Sequence, residues 1–99
     1  MKTNDKYILK GKKAIPECDL LKWAKWFETA KKHVANDFIG KVRVSTVFLG
    51  LNHNFGVGEP ILFETMIFGG KHDEYQERYC TWEEAEEGHK KALELVRKD

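Results

Sequence analysis

Three places in this 99-residue chain hold residue types that do chemistry. The first is His89, preceded by Gly88 and set inside an apolar stripe. An imidazole there is either a general base or metal ligand, or a core histidine. In the second case its ring nitrogens bond a backbone carbonyl or a hydroxyl, and Gly88 allows the close approach. The second is Glu64, between Phe63 and Thr65 in the most apolar segment. A carboxylate in that setting is costly unless it is paired or protonated. Arg43 and Arg78, on the flanking segments, are its ion-pair candidates; the functional alternative is a tuned base or a ligand contact. The third is the stretch from Asn52 to Pro60, with His53, Asn54, Phe55 and two glycines. A long loop on a rigid hairpin is a place for partner recognition, and equally a turn that needs positive φ. Gly56-x-Gly58 is followed by no helix and no Gly-Lys-Ser/Thr, so phosphate-loop chemistry has little support.

Other chemistries find less footing. His53, Glu64 and His89 have ligand types that suit zinc or iron, but no helical His-x-x-x-His spacing joins them, and no metal or other cofactor is expected. Ser45, Cys18 and Cys80 lack a nucleophile elbow. Trp23 and Trp82 fall on helix stripes and read as core. Trp26 lies on the flank of its stripe, beside His33, and is the aromatic expected to reach a partner.

The elements that position these residues follow from periodicity. Tyr7-Ile8-Leu9 and Lys13-Ala14-Ile15 flank Lys10-Gly11-Lys12 as a short hairpin. From Pro16 to about Val34 the period is helical, with Leu20, Trp23, Ala24, Phe27, Ala30 and Val34 on one face, Asp19 as N-cap, and Asn36-Asp37 and Gly40 at the exit. Lys41–Leu51 and Ile61–Phe68 are rich in β-branched residues and read as an antiparallel hairpin with a long tip. Both runs are apolar on both faces, so the ribbon is either covered on two sides or meets another chain. Glu77–Cys80 reads as a further strand. Thr81-x-x-Glu84 is a capping box, followed by a stripe of Trp82, Ala85, His89, Ala92, Leu93 and Val96. The expectation is a single α+β domain over residues 1–99: an antiparallel sheet of three to five strands with two helices, in the order β(β)αβββα.

Composition narrows the classes. Lys plus Arg is 17 and Asp plus Glu is 16, giving a net charge of +1, so bulk charge does not hold this chain to nucleic acid. Hydrophobic residues make up 41% and charged residues 33%, which fits a small packed core under a solvated surface. No apolar run approaches a membrane span and no secretory signal is visible, so a reduced, cytoplasmic setting is expected.

Three phrases carry a resemblance: Trp23-Ala24-Lys25-Trp26-Phe27-Glu28-Thr29-Ala30; Arg43-Val44-Ser45-Thr46-Val47-Phe48-Leu49-Gly50-Leu51-Asn52-His53-Asn54-Phe55-Gly56; and Leu62-Phe63-Glu64-Thr65-Met66-Ile67-Phe68-Gly69-Gly70 running on to Arg78-Tyr79-Cys80-Thr81-Trp82-Glu83-Glu84-Ala85 and Gly88-His89. Together they resemble a widespread family of small tailed-phage and prophage proteins. The family pattern has Asp where this chain has Asn52 and Ser where it has Cys80, which weakens a metal role for the loop and a nucleophilic role for the thiol. The resemblance implies a phage accessory protein in the host bacterial cytoplasm. The expected function is non-covalent binding to a host protein, including inhibition of a host or defence factor, with self-association as a homodimer. The alternatives are a nucleotide-signal sponge with Trp26, His53, Phe55 and Glu64 around a pocket formed between chains, and a small enzyme using Glu64 with His53 or His89. Binding residues are expected at Trp26, His53, Asn54, Phe55 and Glu64.

Overall fold

The structure is a computed structural model and describes residues 4–98. The elements are β1 (Tyr7–Lys10), β2 (Lys13–Pro16), α1 (Leu20–Thr29), β3 (His33–Ile39), β4 (Val42–Phe48), β5 (Phe63–Phe68), β6 (Gln76–Tyr79) and α2 (Trp82–Arg97). β1 and β2 form a two-stranded antiparallel hairpin, and the other strands form an antiparallel sheet in the order β3-β4-β5-β6. The α+β class and the two helices are as the periodicity implies. The order gains one strand, because helical periodicity overran the first helix.

α1 starts where Asp19 caps it, accepting from the backbone N–H groups of Leu21 and Lys22. It ends at Thr29, and Ala30 is already extended, with φ −76° and ψ 150°. Lys32 then gives its carbonyl to the Phe48 N–H, and the segment read as the helix's last turn becomes the start of β3. A few tenths of a kcal/mol per residue of helix propensity do not outweigh a full ladder of strand hydrogen bonds. The inward residues of α1 are Trp23, Trp26 and Phe27, whereas Leu20 and Ala24 are exposed. Trp23 Nε1 donates to the carbonyls of both Tyr7 and Gly50, which ties the helix to β1 and to the end of β4. Gly50 has φ 76° and lies under the Phe27 ring, so a side chain there would be strained in backbone and would collide with the ring.

The register sorts the sheet into two faces. One carries Asp37, Val44, Thr46, Phe48, Phe63, Thr65, Ile67 and Tyr79, and α2 lies across it. α2 has the capping box seen in the sequence, with the Thr81 hydroxyl and the Glu84 carboxylate exchanging bonds with backbone N–H groups. It buries Ala85, Gly88, His89, Ala92 and Val96. The core beneath it has two parts. Val44, Ile67, Ala92 and Val96 form one; Phe48, Leu62, Phe63 and Ala85, with Tyr7, Leu9, Trp26 and Trp82 packed around them, form the other. Each fully buried Phe or Leu contributes about 2 kcal/mol from area alone, so these clusters dominate the stability.

Gly88 is the tightest point of the interface. A Cβ there would overlap the hydroxyl and ring of Tyr79, so the close approach the glycine permits is that of β6's tyrosine. Gly88→Ala is therefore expected to lower stability by about 2 kcal/mol, the usual cost of overpacking, and to lower Tm by roughly 10 °C for a domain of this size, read by thermal unfolding. An unchanged Tm would show that α2 does not sit this close.

Candidate functional site

At the centre of the α2 interface five side chains join in one series. His89 Nε2 lies 2.7 Å from Asp37 Oδ2, and its Nδ1 lies 2.7 Å from Thr46 Oγ1. Thr46 Oγ1 is 2.5 Å from Thr65 Oγ1, and the Tyr79 hydroxyl donates to Thr65 Oγ1 at 3.1 Å. A carboxylate only accepts, so His89 Nε2 donates to Asp37. Nδ1 and the Thr46 hydroxyl share a hydrogen bond, as do the Thr46 and Thr65 hydroxyls, and the Tyr79 hydroxyl donates to Thr65. Each of these groups has a partner. The carboxylate, imidazole and hydroxyl are the parts of a hydrolytic triad, with the two ring nitrogens in exchanged roles. Thr46 has no exposed surface, so its oxygen meets no substrate.

The opposite face of the sheet is different. Cross-strand rows on it read Phe38–Arg43–Phe68, Asn36–Ser45–Met66–Gln76 and His33–Val47–Glu64–Arg78. Among the described residues neither helix packs on this face. Phe38 is 65% exposed and Phe68 41%. The Arg43 guanidinium carbon stands 5.4 Å from the Phe68 ring centroid, and Arg43 Nε donates to Asn36 Oδ1 at 2.8 Å. Glu64, buried among its neighbours, takes Gln76 Nε2 at 2.6 Å and Arg78 Nε at 2.8 Å, both from β6. Of the two arginines considered for it, Arg78 is the partner. The Arg78 side chain is 42% exposed, so solvent holds the pair to about 1 kcal/mol.

The loop at the hairpin tip is organised by its own asparagines. Asn52 Oδ1 accepts from the N–H groups of Asn54 and Ile61, while Asn54 Nδ2 donates to the carbonyls of Val57 and Glu59. His53 Nδ1 bonds back to the Leu51 carbonyl. Phe55 and Val57 stand out with 92% and 102% exposure. A separate open groove near the end of α1, of about 710 Å³, is lined by Phe27, Ala30, Lys31, Lys32, His33, Val47, Phe48 and Leu49.

The sequence-derived site residues are thus spread over three places. His53, Asn54 and Phe55 share the tip loop, with the His53 and Phe55 rings 6.4 Å apart. Glu64 lies on the open face. Trp26 is half-buried on the α2 side, edge-on to Phe48 at 5.7 Å, so it faces the core and lies across the sheet from Glu64. Within one chain Trp26, His53, Phe55 and Glu64 do not line a common pocket. Sequence reasoning does not reach Asp37 and Thr46 as the partners of His89, nor Thr65 and Tyr79 beyond them, although alternate threonines and a tyrosine on strands facing a helical histidine are a usable signal. Nor does it reach Phe38, whose segment has the look of a helix exit.

Among the described residues no group of three or more His, Cys, Asp and Glu side chains is placed to hold a metal ion. Cys18 and Cys80 are free thiols. Burial, and then the charges of Glu84 and Glu59, push the Cys80 thiol up, away from the reactive thiolate. No helix among the described residues is long and apolar enough to cross a membrane. Comparison with protein-family models, with curated proteins and with solved structures gave no match to the chain.

Two outcomes follow from the buried series. Thr46→Val removes the hydroxyl but keeps the shape; it leaves His89 Nδ1 and the Thr65 hydroxyl unpaired and is expected to cost about 2 kcal/mol in urea unfolding. A neutral effect would mean that the bonds are not formed. Burial raises the Tyr79 phenol above its ordinary pKa of 10.0, although the Thr65 bond opposes it. With the folded value above the unfolded one, the tyrosine's contribution is complete below pH 10 and declines as pH rises through the folded value. The difference in ultraviolet titration between the wild type and Tyr79→Phe should assign to Tyr79 an ionisation above pH 10; an ionisation at or before pH 10 would contradict this.

Proposed function

We propose that this chain is a small phage-type accessory protein that acts by non-covalent binding to a host bacterial protein, inhibiting a host or defence factor, and that it receives that partner on the open face of its four-stranded sheet. One observation carries the reading: a sheet face with two exposed phenylalanines and an arginine between them, over which the described chain lays no helix. Aromatic residues and arginine are the types that concentrate binding energy at interfaces. The two-faced apolar ribbon expected from the sequence has the same explanation, since α2 covers one side only. Of the side chains with catalytic chemistry, His89 on α2 is bonded to Asp37 and Thr46, and Glu64 to Gln76 and Arg78. The phage setting follows from the family resemblance.

The test compares the wild-type chain with a Phe38→Asp/Phe68→Asp variant, both immobilised in bacterial lysate and read by mass spectrometry. Both positions lie on the surface, outside the two apolar clusters, so the variant should still fold, with a cooperative thermal transition read beside the binding. At least one host protein is expected to be enriched on the wild type and at least tenfold depleted on the variant. Identical retention on both chains would remove the face from the reading. Light scattering on the pure chain tests the homodimer: a doubled mass in the wild type that reverts in the variant would assign the face to a second copy.

A further inference from the structure

The groove near the end of α1 is apart from the buried series and meets the open face at His33 and Val47, at the end of the sheet away from Phe38 and Phe68. Its floor is apolar, from Phe27, Val47 and Leu49, and its rim carries Lys31 and Lys32; none of its lining residues is Asp or Glu. We propose that it binds a small amphipathic anion: an apolar chain or ring ending in a carboxylate.

The volume, about 710 Å³, falls within the size range of small-ligand sites. The charge needs closer argument, because helix C-termini carry partial negative charge and draw lysines for that reason alone. Lys32 answers that demand. Its Nζ donates to the Phe27 carbonyl at 2.5 Å and stands 4.3 Å from the Phe27 ring centroid. The helix end is thereby offset, and the ammonium keeps two further N–H donors. Lys31 is a second, exposed cation beside it. A net positive rim over an aromatic and aliphatic floor favours a ligand with an anionic head and an apolar body. A neutral ligand would gain the floor but not the rim, and a cation would be repelled.

The experiment is a ¹⁵N–¹H amide-shift titration of the full chain with decanoate, decan-1-ol and decyltrimethylammonium, each below its micelle concentration. Decanoate should give saturable shifts centred on residues 30–33 and 47–49, at least tenfold tighter than decanol, with none from the cation. Lys31→Glu should weaken decanoate at least tenfold while leaving decanol binding and Tm unchanged, and Lys31→Ala should weaken it severalfold. The Phe38→Asp/Phe68→Asp variant should bind decanoate as the wild type does, which separates this site from the open face. Equal affinity for decanol and decanoate, unsaturable or scattered shifts, or shifts of these amides on concentrating the protein alone (a second copy in the groove) would each overturn the proposal.

Discussion

A helix lying on a sheet is usually held by apolar surface, which sets how strongly the layers attract but only loosely where they stop sliding. Here the middle of the interface is polar. Asp37, Thr46, Thr65 and Tyr79 come from β3, β4, β5 and β6 in turn, and His89 comes from α2. One side chain from every strand of the larger sheet is therefore joined to the helix above it. His89, Thr46 and Thr65 are buried while Asp37 reaches the solvent at the edge, and the buried part is satisfied only at one register, because displacement by a single turn would orphan its donors. The apolar clusters on either side, Val44–Ile67–Ala92–Val96 and Phe48–Leu62–Phe63–Ala85, supply most of the free energy. The series supplies the alignment.

With α2 so placed, the rest of the architecture follows. The helix shields one face from end to end, and the β1–β2 hairpin with α1 closes the core near Phe48, where Trp26 and Trp82 pack. The second face keeps its own side chains paired among themselves. Glu64 is held from β6, and Arg43 lies between Phe38 and Phe68.

Much of this was legible in the residues. The capping box, the acid-then-base order of charges and the apolar stripe of α2 all point to one helix, and the β-branched runs mark β4 and β5. The oddity of His89 and Glu64 was also visible. Their partners were not equally so. Arg78 was visible for Glu64 because it lies on the adjacent strand. Asp37 could not be matched to His89 because nothing local relates positions 52 apart; only the sheet brings them together. The misplaced end of α1 has a related cause. Lys31 to Val34 continue the helical pattern acceptably, and the reason they do not form a helix is the β4 backbone, which lies outside any local window.

Gly88 and Tyr79 occupy, in effect, one shared volume, with the whole of it given to the tyrosine. The phenol is also the outermost donor of the polar series, so its ring cannot shrink to make room for a methyl without leaving Thr65 short of a bond. Drift at either site is thus tied to the other. In any collection of kindred chains that keeps this arrangement, the two columns should change in concert, and a lineage that acquired a larger residue on the helix would be expected to have first surrendered the aromatic on the strand.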